Sequence, residues 1–183
     1  PFVYEPDELA DLTTSITPQY SDPDGALAAW ARQFLSEGSR TPTLELLTGM
    51  THGVRQSFSY RKRHEHGTQH PLDTLSIGSG TCRDFALFMM EALRRLGIAA
   101  RFVSGYIFIP GDEAHGYVGG GNTHAWVRAY LPGAGWVEFD LHMLPMELPR
   151  IAELGCCVEG AIPDGASAVV GRWPRSDPLW SSV

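Results

Sequence analysis

The chain has 183 residues, of which 43% are hydrophobic and 19% are charged, as expected for one globular domain built on a single core. A formal charge of −7 with no basic block argues against nucleic-acid binding. The three cysteines, two of them adjacent, do not form a disulfide framework and favour a reducing, cytoplasmic location. No apolar run approaches the roughly 18 residues of a membrane span, and no signal sequence opens the chain, so no membrane association is expected.

The first third of the chain predicts an extended segment followed by two helices. Residues 1–20 carry prolines and acids without periodicity, so we expect an extended lead-in that lies on the domain. Because the first residue is Pro1 rather than Met, a further domain upstream stays open. Apolar residues at helical spacing, with turn residues at both ends, then predict helices over about 22–38 and 41–54.

A histidine-rich polar loop comes next, after a short extended piece at 58–60. It covers residues 61–69 and brings His64, His66 and His70 close together in sequence. Imidazoles are good zinc ligands, but no cysteine or carboxylate stands at the spacing of zinc motifs. We therefore expect a solvated loop, and neither a metal nor any other cofactor.

A glycine-rich turn then runs into a helix, with the sequence Gly-Ser-Gly-Thr-Cys-Arg-Asp-Phe-Ala at 78–86. The helix that begins at Cys82 is apolar on almost every side, so it should be central and buried. Thr81 and Asp84 resemble a capping box, and Gly97 ends the helix.

Two interpretations of Cys82 follow from this position. A thiol at a helix N-terminus lies beside unpaired backbone N–H groups and the positive end of the helix dipole, which favour the thiolate. A lone cysteine is as readily a small buried hydrophobic residue. The stretch by itself leaves a nucleophile and a core residue equally open.

Three strands are predicted in the second half of the chain. Residues 101–108, 124–131 and 136–140 are rich in β-branched and aromatic types, and 132–135 has a hairpin composition. A glycine-rich loop separates the first two strands and ends just before His124. The tail shows no sustained period, and only Val169–Val170 suggests another strand.

Strand parity connects a histidine with a carboxylate. Alternate residues of a strand share a face, so His124 and Trp126 point the same way. If the hairpin loop is 132–134, Asp140 opposes Trp126 and His124 lies diagonally across from Asp140, with about 7–8 Å between backbones. Asp140 could then orient the His124 ring so that its other nitrogen faces Cys82.

Each of these three residues has an ordinary structural explanation when taken singly. A strand histidine is often merely half-buried, and a strand-end carboxylate often caps a turn. Together they match a cysteine nucleophile, a base that takes its proton and a group that orients the base. The joint pattern favours a catalytic interpretation.

Four linked motifs carry a resemblance to a known family: Gly80-Thr81-Cys82-Arg83-Asp84-Phe85-Ala86, Ala99-Ala100-Arg101-Phe102-Val103-Ser104-Gly105-Tyr106, His124-Ala125-Trp126-Val127 and Gly135-Trp136-Val137-Glu138-Phe139-Asp140. In this order they resemble the bacterial transglutaminase-like domain, a superfamily related to cysteine proteases. The resemblance covers about 24–140. It implies an α+β papain-like core, in which a central helix begins at the catalytic cysteine and packs on an antiparallel sheet.

The resemblance also implies roles for particular residues. Cys82 corresponds to the nucleophile, His124 to the base and acid, and Asp140 to the orienting carboxylate. Tyr60 is a candidate for stabilising the oxyanion beside the backbone N–H of Cys82, and Trp126 is a further candidate for oxyanion or substrate binding. The expected substrate is a peptide or protein amide, whose acyl group passes through a thioester to water or to an amine.

The chain departs from the family pattern in two places. Relatives usually continue Pro-Thr-Asn after the aspartate, whereas this chain has Leu141-His142-Met143. Thr123 stands where an acidic residue often precedes the histidine. We therefore expect one transglutaminase-like domain over 1–183 with a divergent C-terminal segment at 141–183.

Three functions remain in competition. A peptidase or amidase is favoured over a protein crosslinker, because no acidic loop spacing indicates the calcium site of animal crosslinking enzymes. A catalytically silent domain that binds peptides or a protein partner is the main alternative. An arylamine acyltransferase would need a cofactor-binding segment that the sequence does not reveal, and no oligomeric state is predicted.

Overall fold

The computed structural model describes residues 2–38, 40–106 and 123–141. The glycine-rich loop, the last two residues of the first predicted strand and the tail with Val169–Val170 lie outside the described residues. Their predictions are therefore not tested.

Helices come first along the described chain, and strands predominate after the central helix. The elements are α1 Pro6–Ile16, α2 Ala26–Arg32, α3 Thr43–Ser57, β1 Ser59–Tyr60, α4 Pro71–Ile77, β2 Ser79–Gly80, α5 Cys82–Arg95, β3 Ala100–Tyr106, β4 Thr123–Leu131 and β5 Gly135–Phe139. Among the helices of the described ranges, none is long and apolar enough to cross a membrane.

The expected extended lead-in is wrong, because residues 6–16 form helix α1. Pro6 occupies the first turn, and the Glu8 carboxylate accepts a hydrogen bond from the Glu5 backbone N–H at 3.1 Å. Only Leu12 and Ser15 of this helix are buried, so its sequence shows little of the apolar period that identifies a helix. The segment does lie on the domain, since Tyr4 donates its hydroxyl to the Tyr130 carbonyl at 3.0 Å.

Helix α2 is shorter than predicted. It begins after Gly25, whose φ of 67° is left-handed and interrupts the helix at that point. The Asp22 carboxylate nevertheless caps the start, accepting the N–H groups of Leu27 at 3.2 Å and Ala28 at 3.0 Å. Helix α3 covers the second predicted helix and continues to Ser57.

Helix α5 is the centre of the core, as predicted, and every residue from Asp84 to Arg94 is buried. Its far end holds a buried ionic cluster around Glu91, whose carboxylate pairs with Arg94 at 3.4 Å and with Arg95 at 2.8 Å. The same carboxylate accepts the Gln19 N–H at 3.1 Å, which ties the segment after α1 to α5. Helices α2, α3 and α4 pack on α5 together with strands β3 and β4.

The sheet is antiparallel in the order β3–β4–β5. Leu131 pairs with Gly135 across a loop of three residues, 132–134, and Val127 pairs with Phe139. This is the register predicted from the hairpin. It places Asp140, just past the end of β5, next to the start of β4.

Candidate active site

The residues before Cys82 bring two segments of chain together. Strand β2 runs parallel to β1, with Tyr60 opposite Gly80, and the Arg61 N–H donates to the Gly80 carbonyl at 2.8 Å. A Cβ at Gly80 would lie 2.8 Å from the Cβ of Asp84, closer than real Cβ contacts. Glycine is therefore required there so that the turn can lie against the first turn of α5.

Asp84 connects the polar loop to this turn. Its fully buried carboxylate accepts hydrogen bonds from Nε and Nη2 of Arg63, both at 2.9 Å. It also accepts the N–H of Gln69 at 2.7 Å, and the N–H and hydroxyl of Thr81 at 2.7 and 2.8 Å. These bonds hold the pKa of Asp84 below its usual value although burial opposes the charge. The capping residue predicted from sequence thus also anchors the loop.

In the structure the three predicted catalytic residues contact one another in the order Cys82, His124, Asp140. His124 Nε2 lies 2.7 Å from Asp140 Oδ2, and both side chains are almost completely buried. The half-buried thiol of Cys82 is hydrogen-bonded to His124. With Nε2 committed to Asp140, the Nδ1 atom is the ring nitrogen that can serve the thiol. The diagonal relation between His124 and Asp140 is as parity predicted.

A residue outside the predicted set fixes the position of Asp140. Arg55 on α3 donates Nη2 to the Asp140 carbonyl at 2.9 Å and Nε to the Leu141 carbonyl at 3.4 Å. These bonds tie the end of the sheet to α3, which stabilises the chain just where the carboxylate is presented. Nothing in the sequence spacing connects residues 85 positions apart, so no pattern could have indicated this contact.

The environment of Cys82 favours the thiolate. Burial by itself would raise the pKa of the thiol, but the hydrogen bond and charge of His124 lower it. Backbone N–H groups of Ala125 and Arg83 lower it further, and the net pKa is below the ordinary value. The Arg83 group belongs to the first turn of α5, as expected for a helix N-terminus.

The contacts of His124 with Asp140 and Cys82 favour a protonated imidazole. Burial opposes the charge of His124, but hydrogen bonds with Asp140 and Cys82, and the charges of both, raise the pKa of His124 to about 9. The lowered pKa of Cys82 and the raised pKa of His124 therefore both favour a thiolate beside an imidazolium. That ion pair is the reactive form of a cysteine nucleophile.

Trp126 and Tyr60 occupy different environments. Trp126 is only 4% exposed, and its ring stacks on His124 with 6.0 Å between ring centroids. It therefore packs against the imidazole and exposes little surface, and its role in oxyanion or substrate binding stays a prediction. Tyr60 is 52% exposed and lies opposite Gly80, two residues before the nucleophile, where it remains a candidate for oxyanion binding.

The three histidines of the polar loop do not form a cluster. Within residues 2–38, 40–106 and 123–141, no group of three or more His, Cys, Asp or Glu side chains could hold a metal ion. His64 and His66 are exposed. His70 is partly buried and caps α4, its Nδ1 accepting the Leu72 N–H at 3.2 Å.

Comparison with known proteins identifies the superfamily of this chain. The sequence profile of the transglutaminase-like superfamily matches residues 28–141, which is more than half of the chain. The chain therefore belongs to this superfamily.

Curated relatives match between a third and a half of the chain. The uncharacterised protein ML0607 of Mycobacterium leprae is 39% identical over 69 residues, covering 38% of this chain and 24% of the relative. The uncharacterised protein YebA of Bacillus subtilis is 39% identical over 67 residues, covering 33% of this chain and 9% of YebA. The chain thus matches a quarter or less of these relatives.

Solved structures share the fold. A candidate cysteine protease from Cytophaga hutchinsonii is 23% identical with a TM-score of 0.56, covering 72% of this chain and 42% of that one. The periplasmic domain of TgpA from Pseudomonas aeruginosa is 23% identical with a TM-score of 0.55, covering 72% and 46%. Its ethylmercury-bound form gives 29% identity and a TM-score of 0.50, covering 68% and 45%. The α+β, transglutaminase-like fold predicted from sequence is confirmed.

Proposed function

We propose that this protein is a cysteine-dependent hydrolase of peptide or amide bonds that acts through a thioester. The observation that carries the proposal is the line of contacts from the Cys82 thiol through His124 to Asp140, with 2.7 Å between His124 Nε2 and Asp140 Oδ2. In this role Cys82 is the nucleophile, His124 the acid and base, and Asp140 the orienting carboxylate.

The reaction has two halves. The Cys82 thiolate attacks the amide carbonyl carbon, and the resulting tetrahedral intermediate collapses as the His124 imidazolium protonates the leaving amine. This leaves an acyl group on the sulfur and a neutral imidazole. Water then gives a proton to His124 as it attacks the thioester, and the carboxylic acid leaves as the thiolate and the imidazolium are restored.

Oxyanion stabilisation is assigned to the edge of the site formed by β1 and α5. The backbone N–H of Cys82 belongs to the first turn of α5 and has no partner within the helix. Tyr60 lies opposite Gly80 and is exposed enough to turn its hydroxyl toward a bound carbonyl. Both donors then act on the charge that develops in the tetrahedral intermediate.

Trapping of the acyl-enzyme tests this proposal directly. The protein is incubated with an activated peptide ester, quenched in acid and measured as the intact mass. We expect a mass increase equal to the acyl group on Cys82, its loss on dilution into buffer, and neither event in Cys82→Ala. Release only as an amide when an amine is added would identify a transferase instead. Absence of any adduct together with tight peptide binding would favour the interaction domain and overturn the proposal.

We also propose a reducing compartment, from the cysteine usage of the chain. The TgpA domain with this fold is periplasmic, so the opposite location is a real alternative. Fractionation of the native host decides between them, and recovery of the protein in a secreted or periplasmic fraction would contradict a cytoplasmic location.

A further inference from the structure

Positively charged residues lie next to the segments that hold Cys82, although the chain as a whole is acidic with a formal charge of −7. Three of them are exposed: Arg83 directly follows Cys82, and Arg61 and Lys62 directly follow Tyr60, which pairs with Gly80. We call these three residues the basic rim. A local positive charge on an acidic protein can attract and orient a negatively charged ligand.

Arg83 connects the start of α5, which holds Cys82, to the start of β4, which holds His124. It directly follows Cys82, and its Nη2 lies 3.2 Å from the hydroxyl of Thr123, the residue before His124. The guanidinium therefore lies where α5 meets the start of β4. One donor is directed to Thr123, and a guanidinium has five donors in a planar fork that matches a carboxylate.

Arg61 and Lys62 are held beside the same site by the backbone. The Arg61 N–H donates to Gly80 at 2.8 Å, which places the residue next to the turn that precedes Cys82. One residue beyond Lys62, the two bonds from Arg63 to Asp84 tie the loop to the helix. The rim is thus built on fixed chain rather than on a free loop.

The nearby carboxylates do not neutralise this rim. The Asp84 carboxylate is enclosed and pairs with Arg63, and Glu65 approaches Arg63 at 3.8 Å. Within residues 2–38, 40–106 and 123–141, no ion pair joins Arg61, Lys62 or Arg83 to an acid. These three side chains are exposed, so their charges remain accessible to a ligand that reaches Cys82.

From these contacts we propose that the basic rim selects amide substrates that carry a carboxylate close to the bond that is broken. The inference rests on the proposed function and names its substrate class. The carboxylate can come from an acidic side chain or from a free C-terminus, since both offer the same group to a guanidinium.

Matched peptides test the selection. Kinetics are compared for fluorogenic peptides that differ only in Glu against Gln beside the cleaved bond, and for a free C-terminal acid against its amide. We expect kcat/KM to favour one or both acids by up to about fivefold, the size that an exposed ion pair supplies. The preference should shrink at high salt because exposed charges are screened. The pair that shows the preference identifies the source of the carboxylate.

Variants connect the preference to the rim. The acid-to-neutral ratio should fall toward one in Arg83→Gln and in the double variant Arg61→Gln/Lys62→Gln. It should persist in Arg83→Lys, which keeps the charge, and in Arg32→Gln, which removes an exposed charge from α2. A wild-type ratio of one or below, or a ratio that no rim variant changes, overturns the proposal.

A second measurement separates failure of this inference from failure of the proposed function. Iodoacetate and iodoacetamide both alkylate a thiolate with loss of iodide, but only the first is negatively charged. The rate of Cys82 alkylation by iodoacetate, divided by the rate with iodoacetamide, should be severalfold lower in Arg83→Gln than in the wild type. This expectation holds whether or not any peptide is hydrolysed. An unchanged ratio contradicts the rim, whereas a changed ratio without hydrolysis contradicts only the hydrolase.

Discussion

Replacement of Asp140 by asparagine perturbs the site at one charge. The side chain keeps nearly the same size, but the negative charge that faces His124 Nε2 at 2.7 Å is lost. In the wild type, the pKa of His124 is raised from 6.5 to about 9. A rise of this size corresponds to roughly 3 kcal/mol in favour of the imidazolium, net of the burial that opposes it.

The bond to Asp140 is the largest of the interactions that favour the charged ring. Its loss should therefore lower the pKa of His124 by at least about one unit, or about 1.4 kcal/mol. A pKa that is about one unit lower still leaves most of the imidazole protonated at pH 7, so the imidazolium is lost mainly between about pH 8 and pH 9. We expect the alkaline limb of hydrolysis, which needs the imidazolium to protonate the leaving amine, to move down from near 9 by about one unit, and the pH profile of Cys82 alkylation to change with it.

The assay follows iodoacetamide alkylation of Cys82 by mass spectrometry from pH 5 to pH 10, alongside hydrolysis. Asp73→Asn is the matched control, since it makes the same change at an exposed carboxylate in the first turn of α4. Identical profiles for the wild type and Asp140→Asn would refute the reasoning. An equal shift in Asp73→Asn would show that the effect is general electrostatics rather than orientation of the ring.

Three further predictions concern the surroundings of the site, each checked by urea unfolding. Gly80→Ala should destabilise the fold by about 1–3 kcal/mol, because the added Cβ lies 2.8 Å from that of Asp84; unchanged stability would contradict the close approach. Arg63→Gln should cost about 1–3 kcal/mol at pH 7. The partners of Asp84 lower its pKa, so the stabilisation by the Arg63–Asp84 pair is fully present above the unfolded pKa of about 3.9 and is lost as pH falls through the folded pKa. The difference in unfolding free energy between the wild type and Arg63→Gln should therefore vanish in acid. A difference that persists in acid would argue against the ion pair. Glu91→Gln should cost about 3–5 kcal/mol, because the buried Arg94 loses its charged partner; a loss below 1 kcal/mol would contradict that account.

The central helix and the hairpin could be predicted because their signals are local. Cys82 follows two glycines and opens a continuous apolar helix, and the three-residue turn fixes the register of β4 against β5. Parity then places His124 and Asp140 on one face without knowledge of the rest of the fold. These elements contain most of the candidate site.

Contacts between distant segments could not be predicted in the same way. Helix α1 has only two buried residues, so tertiary packing rather than a repeating apolar pattern defines it. The bonds from Arg55 to the chain at Asp140, and from Arg63 to Asp84, join parts of the chain with no periodic relation. Trp126 shares the predicted face with His124, but only the packed structure shows that its ring is buried.

Competitive labelling of the three cysteines tests the central claim most directly. The native protein is treated at pH 7 with a limiting amount of a thiol-directed electrophile, and the modified sites are mapped by mass spectrometry. We predict that Cys82 is modified first, ahead of Cys156 and Cys157, and that its rate drops to that of an ordinary thiol in His124→Ala. Preferential labelling of Cys156 or Cys157, or a Cys82 rate that does not depend on His124, would contradict the account.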